Sequence, residues 1–340
     1  MINEFPNVQT PENCLEAVKK SWYALKLVKE QTEEICLEAV KRWGSSLKFV
    51  NDQTEEMCLI AVKNDARAFQ DVRVQTPELC EEAVENNPFA LEYVKKQTPE
   101  LCLIAIKQWA RTLEFVNEQT PEMCLAAVEK NGCALQFVNE QTPEMCLAAV
   151  KQYGLALKYV RNRKHKTEEL CLIAVRQHGC AIEYAKKQTP ELCLEAVKHD
   201  GAALKFIGNK TPEICLIAVK QWGAAIAYVY DQTEEMCLIA VRRNGYSLQY
   251  IKKQTEEMCL LSVKQYGDIL RYVHEQTEEI CLAAVKQDSH ALQFVKEQTT
   301  EICLEAMMKD FNTLTYVNEG MIDILKQTIK KYLYASASNT

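Results

Sequence analysis

A threonine returns at a fixed interval along this chain of 340 residues. The series is Thr10, Thr32, Thr54, Thr76, Thr98, Thr120, Thr142, Thr167, Thr189, Thr211, Thr233, Thr255, Thr277 and Thr299, and twelve of its thirteen intervals are 22 residues. The exception, Thr142 to Thr167, is 25. A unit this short cannot enclose a core of its own. It must bury its apolar face against its neighbours, so the chain grows by adding units and not by enlarging one core.

The residue types within a unit give two short helices. Threonine is an N-cap, whose hydroxyl accepts from an orphan backbone N–H. Proline or glutamate follows at the first helical position, and glutamate stands two residues after every threonine, in the turn where the helix dipole favours negative charge. Counting from threonine as zero, apolar residues at positions 3, 4, 5, 7 and 8 define a first helix, and those at 14, 15, 17 and 18 define a second. Glycine between them occurs in eight units, for example Gly44, Gly132 and Gly223. Its place suggests a left-handed residue just past the first helix. The expected fold is therefore all-α: an α-solenoid of about fourteen helical hairpins of 22 residues. It should cover residues 1–320 and open with a half-hairpin at 1–9, where Ile2 and Phe5 fit the phase of a second helix. A capping helix at 321–334 and a flexible tail at 335–340 should follow.

Fourteen of the sixteen cysteines share one phase, four residues after each threonine, from Cys14 to Cys303. Adjacent helices pack about 8–10 Å apart, too far for a disulfide without backbone movement. No close cysteine pair offers zinc-ligand spacing. The row therefore reads as small buried hydrophobes. Twelve of the threonines follow a glutamine, with Lys166 and Lys210 in the other two places. A recurrent amide at one phase can bond adjacent units or cap the second helix, and the sequence does not choose its partner atoms.

The unit Thr142-Pro143-Glu144-Met145-Cys146-Leu147-Ala148-Ala149-Val150-Lys151-Gln152-Tyr153-Gly154-Leu155-Ala156-Leu157-Lys158-Tyr159-Val160 resembles a domain family of unknown function with tandem "AAVKQNG-ALQY" repeats. That family is common in large amoeba-infecting DNA viruses and some bacteria. The resemblance covers about residues 5–318. It implies a helical repeat fold, a viral origin and an interaction role, and it carries no catalytic residues.

The net charge of −7 is the wrong sign for wholesale nucleic-acid binding. No apolar run reaches the ~18 residues of a membrane span. The N-terminus lacks the basic and apolar regions of a secretory signal, so an intracellular, cytoplasmic setting is expected. Shared positions serve packing, and functional information is sought where units differ. The insertion before Thr167 reads Arg161-Asn162-Arg163-Lys164-His165-Lys166, a basic hexamer in an acidic chain. Arg161, Arg163, Lys164, His165 and Lys166 are candidate ligands for an anion. Position 11 holds Trp43, Trp109, Tyr153, Trp222 and Tyr266 in some units and Asp or Asn in others. This alternation suits a partly exposed edge with aromatic contact anchors. The units of Thr54 and Thr76 are degraded, with Ala66-Arg67 and Pro88-Phe89 at the glycine turn and Asp71 at an aromatic phase.

His178, Cys180, His199 and Asp200 could come together across one repeat, though histidine and aspartate are ordinary turn residues. No cofactor, metal or enzymatic activity is expected. The leading expectation is an interaction scaffold that binds a protein partner along one face. The rival is a module for a small anionic, nucleotide-like ligand or nucleic acid, centred on the 161–166 loop.

Overall fold

The computed structural model describes residues 10–337. Ile2 and Phe5, and residues 338–340 of the expected tail, lie outside the described residues. Within them the chain is an all-α solenoid: fourteen ten-residue α-helices, each followed by a short 3-10 helix, and one longer helix, Glu319–Ala337. By packing it divides into two compact units, Met1–Leu170 and Cys171–Thr340.

Each threonine caps its α-helix as its chemistry requires. The side-chain oxygen accepts from the backbone N–H three residues on at 3.2–3.4 Å, from Asn13 onto Thr10 through Ile302 onto Thr299. Positions 3, 4, 7 and 8 are buried almost throughout, as with Met145, Cys146, Ala149 and Val150. The leucine at position 5 is only half-buried, as Leu147 shows.

The second element departs from a regular α-helix. It is a six-residue 3-10 helix in thirteen repeats, such as Gly132–Phe137 and Gly223–Tyr228, and a four-residue one, Ala24–Leu27, in the first. Three residues per turn places positions 14 and 15 in the core, with position 18 just beyond. Position 17 lies at the surface. Ala134, Leu135 and Val138 are buried while Phe137 is half-exposed.

Glycine also has a different cause from the one expected. Among the described residues none has a positive φ. The α-helix ends at position 11 in extended backbone, for example Trp43 at φ −140° and Asn131 at φ −150°. Glycine then starts the 3-10 helix. A Cβ on Gly44 would lie 2.4 Å from the Ala61 carbonyl oxygen, and one on Gly132 would lie 2.3 Å from that of Ala149. Position 12 therefore sits beneath the position-7 carbonyl of the next repeat, and small residues at both sites set the distance between units.

The final helix packs on the α-helix Thr300–Lys309 and buries Leu325. Ala335 to Ala337, expected in the tail, are helical.

Candidate functional site: the aromatic 3-10 face

Within each compact unit the 3-10 helices present one surface, and its backbone is fixed by the recurrent glutamine. Gln119 lies in the loop before its helix. Its amide nitrogen donates to the Phe137 carbonyl at 2.8 Å and to that of Leu113 at 3.2 Å, and its amide oxygen accepts from the Asn139 N–H at 2.9 Å. The same side chain thus caps the preceding 3-10 helix and staples its own loop to the loop after its own 3-10 helix. Eleven glutamines, Gln31 to Gln298, donate to the position-17 carbonyl at 2.7–3.0 Å. The in-phase thiol completes the site where Cys124 Sγ donates to Gln119 Oε1 at 3.6 Å. Ten of these eleven staples hold the backbone of a residue whose ring is displayed, and Gln53 holds that of Asp71.

Position 17 is the row that sequence patterning placed in the core. Within Cys171–Thr340 it is unbroken: Tyr184, Phe206, Tyr228, Tyr250, Tyr272, Phe294 and Tyr316, all at least partly exposed. Within Met1–Leu170, Leu27 and Asp71 interrupt it. The signal that distinguishes it is tyrosine, which occurs at this phase and keeps its hydroxyl in water.

Position 11 meets this row. Trp222 lies 6.4 Å from Tyr228, centroid to centroid, and Phe89 lies 6.3 Å from Trp109 and 6.1 Å from Phe115. Tyr246 and Tyr266 are 4.9 Å apart. Trp109 is 60% exposed, Trp43 and Trp222 41% and Tyr266 45%, whereas Tyr153 is half-buried. The alternation with Asp and Asn has a local cause. Where position 11 is Asp65, Asn87, Asn131, Asp200, Asn244, Asp288 or Asp310, its side-chain oxygen accepts from the N–H two residues on and caps the 3-10 helix. An aromatic at this position gives up that cap and displays a ring.

The structure divides the basic hexamer. Arg161 donates to the Val138 carbonyl. It shares its phase with Arg73, Lys95, Lys252 and Lys296, whose cationic heads bond carbonyls of the preceding loop in the same way. His165 packs over the Cys146 thiol, Nδ1 to Sγ 3.9 Å, and its Nε2 lies 3.2 Å from Asn162 Nδ2. Lys166, half-buried, takes the phase of the glutamine. The insertion folds as a tight turn on Asn162, which accepts from the N–H groups of Lys164 and His165. Arg161, Arg163 and Lys164 are all exposed, Arg161 with its head on the backbone.

The degraded units keep their caps, with Asp65 accepting from Arg67 N–H and Asn87 from Phe89 N–H, both at 3.1 Å. In the Thr76 repeat, Glu81 replaces the position-5 leucine and turns to solvent. A cleft of about 550 Å³ opens beside it, lined by Cys80, Lys95, Lys96, Thr98 and Leu101 among others.

Of the four residues considered for a metal or Cys–His pair, Cys180 and Asp200 come together: the thiol donates to Asp200 Oδ2 at 3.2 Å. Burial and this carboxylate push the Cys180 thiol up to about 11. Among the described residues no group of three or more His, Cys, Asp or Glu is placed to hold a metal ion, and no helix is long and apolar enough to cross a membrane.

A family model described as a domain of unknown function, DUF4116, matches residues 32–74, 76–119, 120–163, 142–188, 189–232 and 233–277. Each window spans two threonine repeats, and that of 142–188 runs through the insertion. No curated protein and no solved structure matches the chain. With its repeats matched over more than half their length, the chain belongs to the DUF4116 family.

Proposed function

We propose that this protein is a non-enzymatic interaction scaffold that holds a protein partner on the 3-10 face of its solenoid. The observation that carries the reading is the row of exposed and half-exposed rings at positions 11 and 17. Its backbone is pinned by glutamine in most repeats, so little ordering entropy is lost when a partner docks. Aromatic anchors on a rigid support are the usual centres of protein–protein contacts. An intracellular, reducing setting suits fourteen in-phase cysteines that are buried as thiols. The resemblance to repeats common in large DNA viruses supports a host-cell cytoplasm as that setting.

The test is affinity purification of the full chain from its native host, read by mass spectrometry together with nucleotide extraction. The comparison is between wild type, a variant with Trp222, Tyr228 and Tyr250 changed to alanine, and one with Arg163 and Lys164 changed to alanine. Loss of one specific protein with the ring variant alone supports the proposal. Retention of that protein by the ring variant, or recovery of a nucleotide that the loop variant loses, contradicts it. The rival, an anion module at the loop, draws on Arg163 and Lys164 beside the backbone-bound Arg161, and its binding should fall steeply with salt.

A further inference from the structure

Position 16 of the repeat lies beside the rings of position 17, and the chain's own cations show what that place holds. Five repeats carry lysine or arginine there, and all five side chains lie over an aromatic ring. Lys26 is 5.1 Å from the Tyr23 centroid, and Lys48 is 4.5 Å from that of Trp22 and 5.0 Å from that of Phe49. Lys158 sits 5.6 Å from Tyr159, and Lys205 sits 5.5 Å from Phe206. Arg271 bridges two repeats, 5.6 Å from its neighbour Tyr272 and 4.6 Å from Phe294 of the next unit. It also pairs with Asp268, whose carboxylate accepts from the Tyr246 hydroxyl at 2.8 Å.

In the Thr211 repeat the same place is occupied by Ala227, an exposed methyl group too short to cover a ring. The ring of its own repeat is Tyr228, with Trp222 beside it, and that of the next is Tyr250, 42% exposed. Among the described residues no lysine or arginine lies over Tyr228 or Tyr250. The Tyr250 backbone is pinned, its carbonyl accepting from Gln232 at 2.8 Å.

We propose that the seat at Ala227, between the Tyr228 and Tyr250 rings, receives the guanidinium of an arginine-rich segment of a partner polypeptide. This deepens, and rests on, the reading of the 3-10 face as the contact surface. Charge selects the occupant. The ring faces are electron-rich, and over residues 171–340 positions 11, 13 and 16 carry Glu183, Asp200, Asp268, Asp288 and Asp310 against Lys205 and Arg271, while Lys252, beside Tyr250, lies over Tyr230. Both of those cations already lie on rings, and the chain as a whole stands at −7. A cationic group therefore meets two ring faces that no cation of the described chain covers. Arginine fits better than lysine because a flat guanidinium can lie across two rings one repeat apart, as Arg271 does.

The test measures the binding of a fluorescein-labelled, end-capped arginine–glycine repeat peptide to the full chain by anisotropy, at about 0.15 M and about 0.5 M salt. A citrulline–glycine peptide, nearly the same shape without the charge, is the ligand control. Ala227→Arg places the chain's own guanidinium in the seat. Asn209→Arg adds the same charge on an exposed loop, and the pair Tyr228→Leu with Tyr250→Leu removes the rings. Ala227→Arg and the ring pair should each weaken the arginine peptide about fivefold to tenfold, with Asn209→Arg changing it by less than about twofold. Equal weakening by Ala227→Arg and Asn209→Arg, equal binding of the citrulline peptide, or no binding of the arginine peptide overturns the proposal. If the seat fails while ring removal still releases the cellular partner, the contact-face reading stands. If ring removal retains that partner, both fall.

Discussion

At the scale of single residues, the repeat separates positions that hold the fold from positions that display chemistry. The glutamine before each threonine is of the first kind. Replacing Gln119 with alanine removes donors to Phe137 and Leu113 and the acceptor for Asn139, and should cost about 1–3 kcal/mol in urea unfolding. The converse change, Lys210→Gln, restores an amide at a phase where a lysine cannot accept from the N–H of Tyr230. It should raise the urea midpoint, and a lower midpoint would show that the staple contributes nothing there. The thiols give a second test. Burial raises thirteen in-phase cysteines, with Cys146, Cys237, Cys259, Cys281 and Cys303 pushed up to about 11. Only the thiolate is alkylated, so native labelling at neutral pH should favour half-buried Cys133 over all fourteen. Cys180 is also half-buried, yet Asp200 and burial keep it protonated. Asp200→Asn should therefore speed its labelling, read site by site by mass spectrometry. Fast labelling of most in-phase cysteines would contradict the burial assigned to them. The sequence placed those thiols correctly because each lies on the helix face of positions 7 and 8, mostly buried alanine and valine. It could not assign the glutamine's partners, because they lie about twenty residues away along the chain, across a contact that only stacking creates.

At the scale of elements, the α-helix was largely readable: cap and acidic first turn agree in every unit, and the apolar stripe in most, Asn13 and Glu81 being exceptions. The 3-10 helix was readable only as a helix. Six residues with apolar side chains at 14, 15, 17 and 18 fit either geometry, and the choice decides which of them is displayed. The same ambiguity hid position 17 and misassigned glycine, whose role is spacing between repeats and not a left-handed turn. Gly132→Ala tests that account directly. Its Cβ would meet the Ala149 carbonyl oxygen at 2.3 Å, so the neighbouring helix must shift, at a cost of about 1–3 kcal/mol. Ala66 and Ala110 carry a Cβ at this position in their own repeats, so the shift is feasible and the variant should fold. A helix-propensity gain without loss of stability would refute the spacing role.

At the scale of the whole molecule, regularity is the property that makes a face. Among the described residues, staples in eleven repeats and position-17 rings in twelve convert a 22-residue period into rows of fixed anchors, and departures such as Ala227, Glu81 and the 161–166 turn give those rows their local character. Fold class followed from the period alone, whereas the site needed the geometry. Trp43, Trp109, Trp222 and Tyr266 were visible as an exposed edge because tryptophan and aspartate cannot share a core position. The row at position 17 was not, because half-exposed and buried aromatics read alike in sequence. The basic loop stood out by composition, but two of its five cationic candidates are held by backbone or thiol neighbours. The most direct measurement of the central claim is hydroxyl-radical footprinting of the free protein and of its complex with the captured partner, read at each aromatic residue. The account predicts that Trp222, Tyr228, Tyr250 and Tyr266 oxidise readily in the free chain and are protected in the complex, while the half-buried leucines of the α-helices are unchanged. Protection of those leucines with the rings left reactive would contradict it.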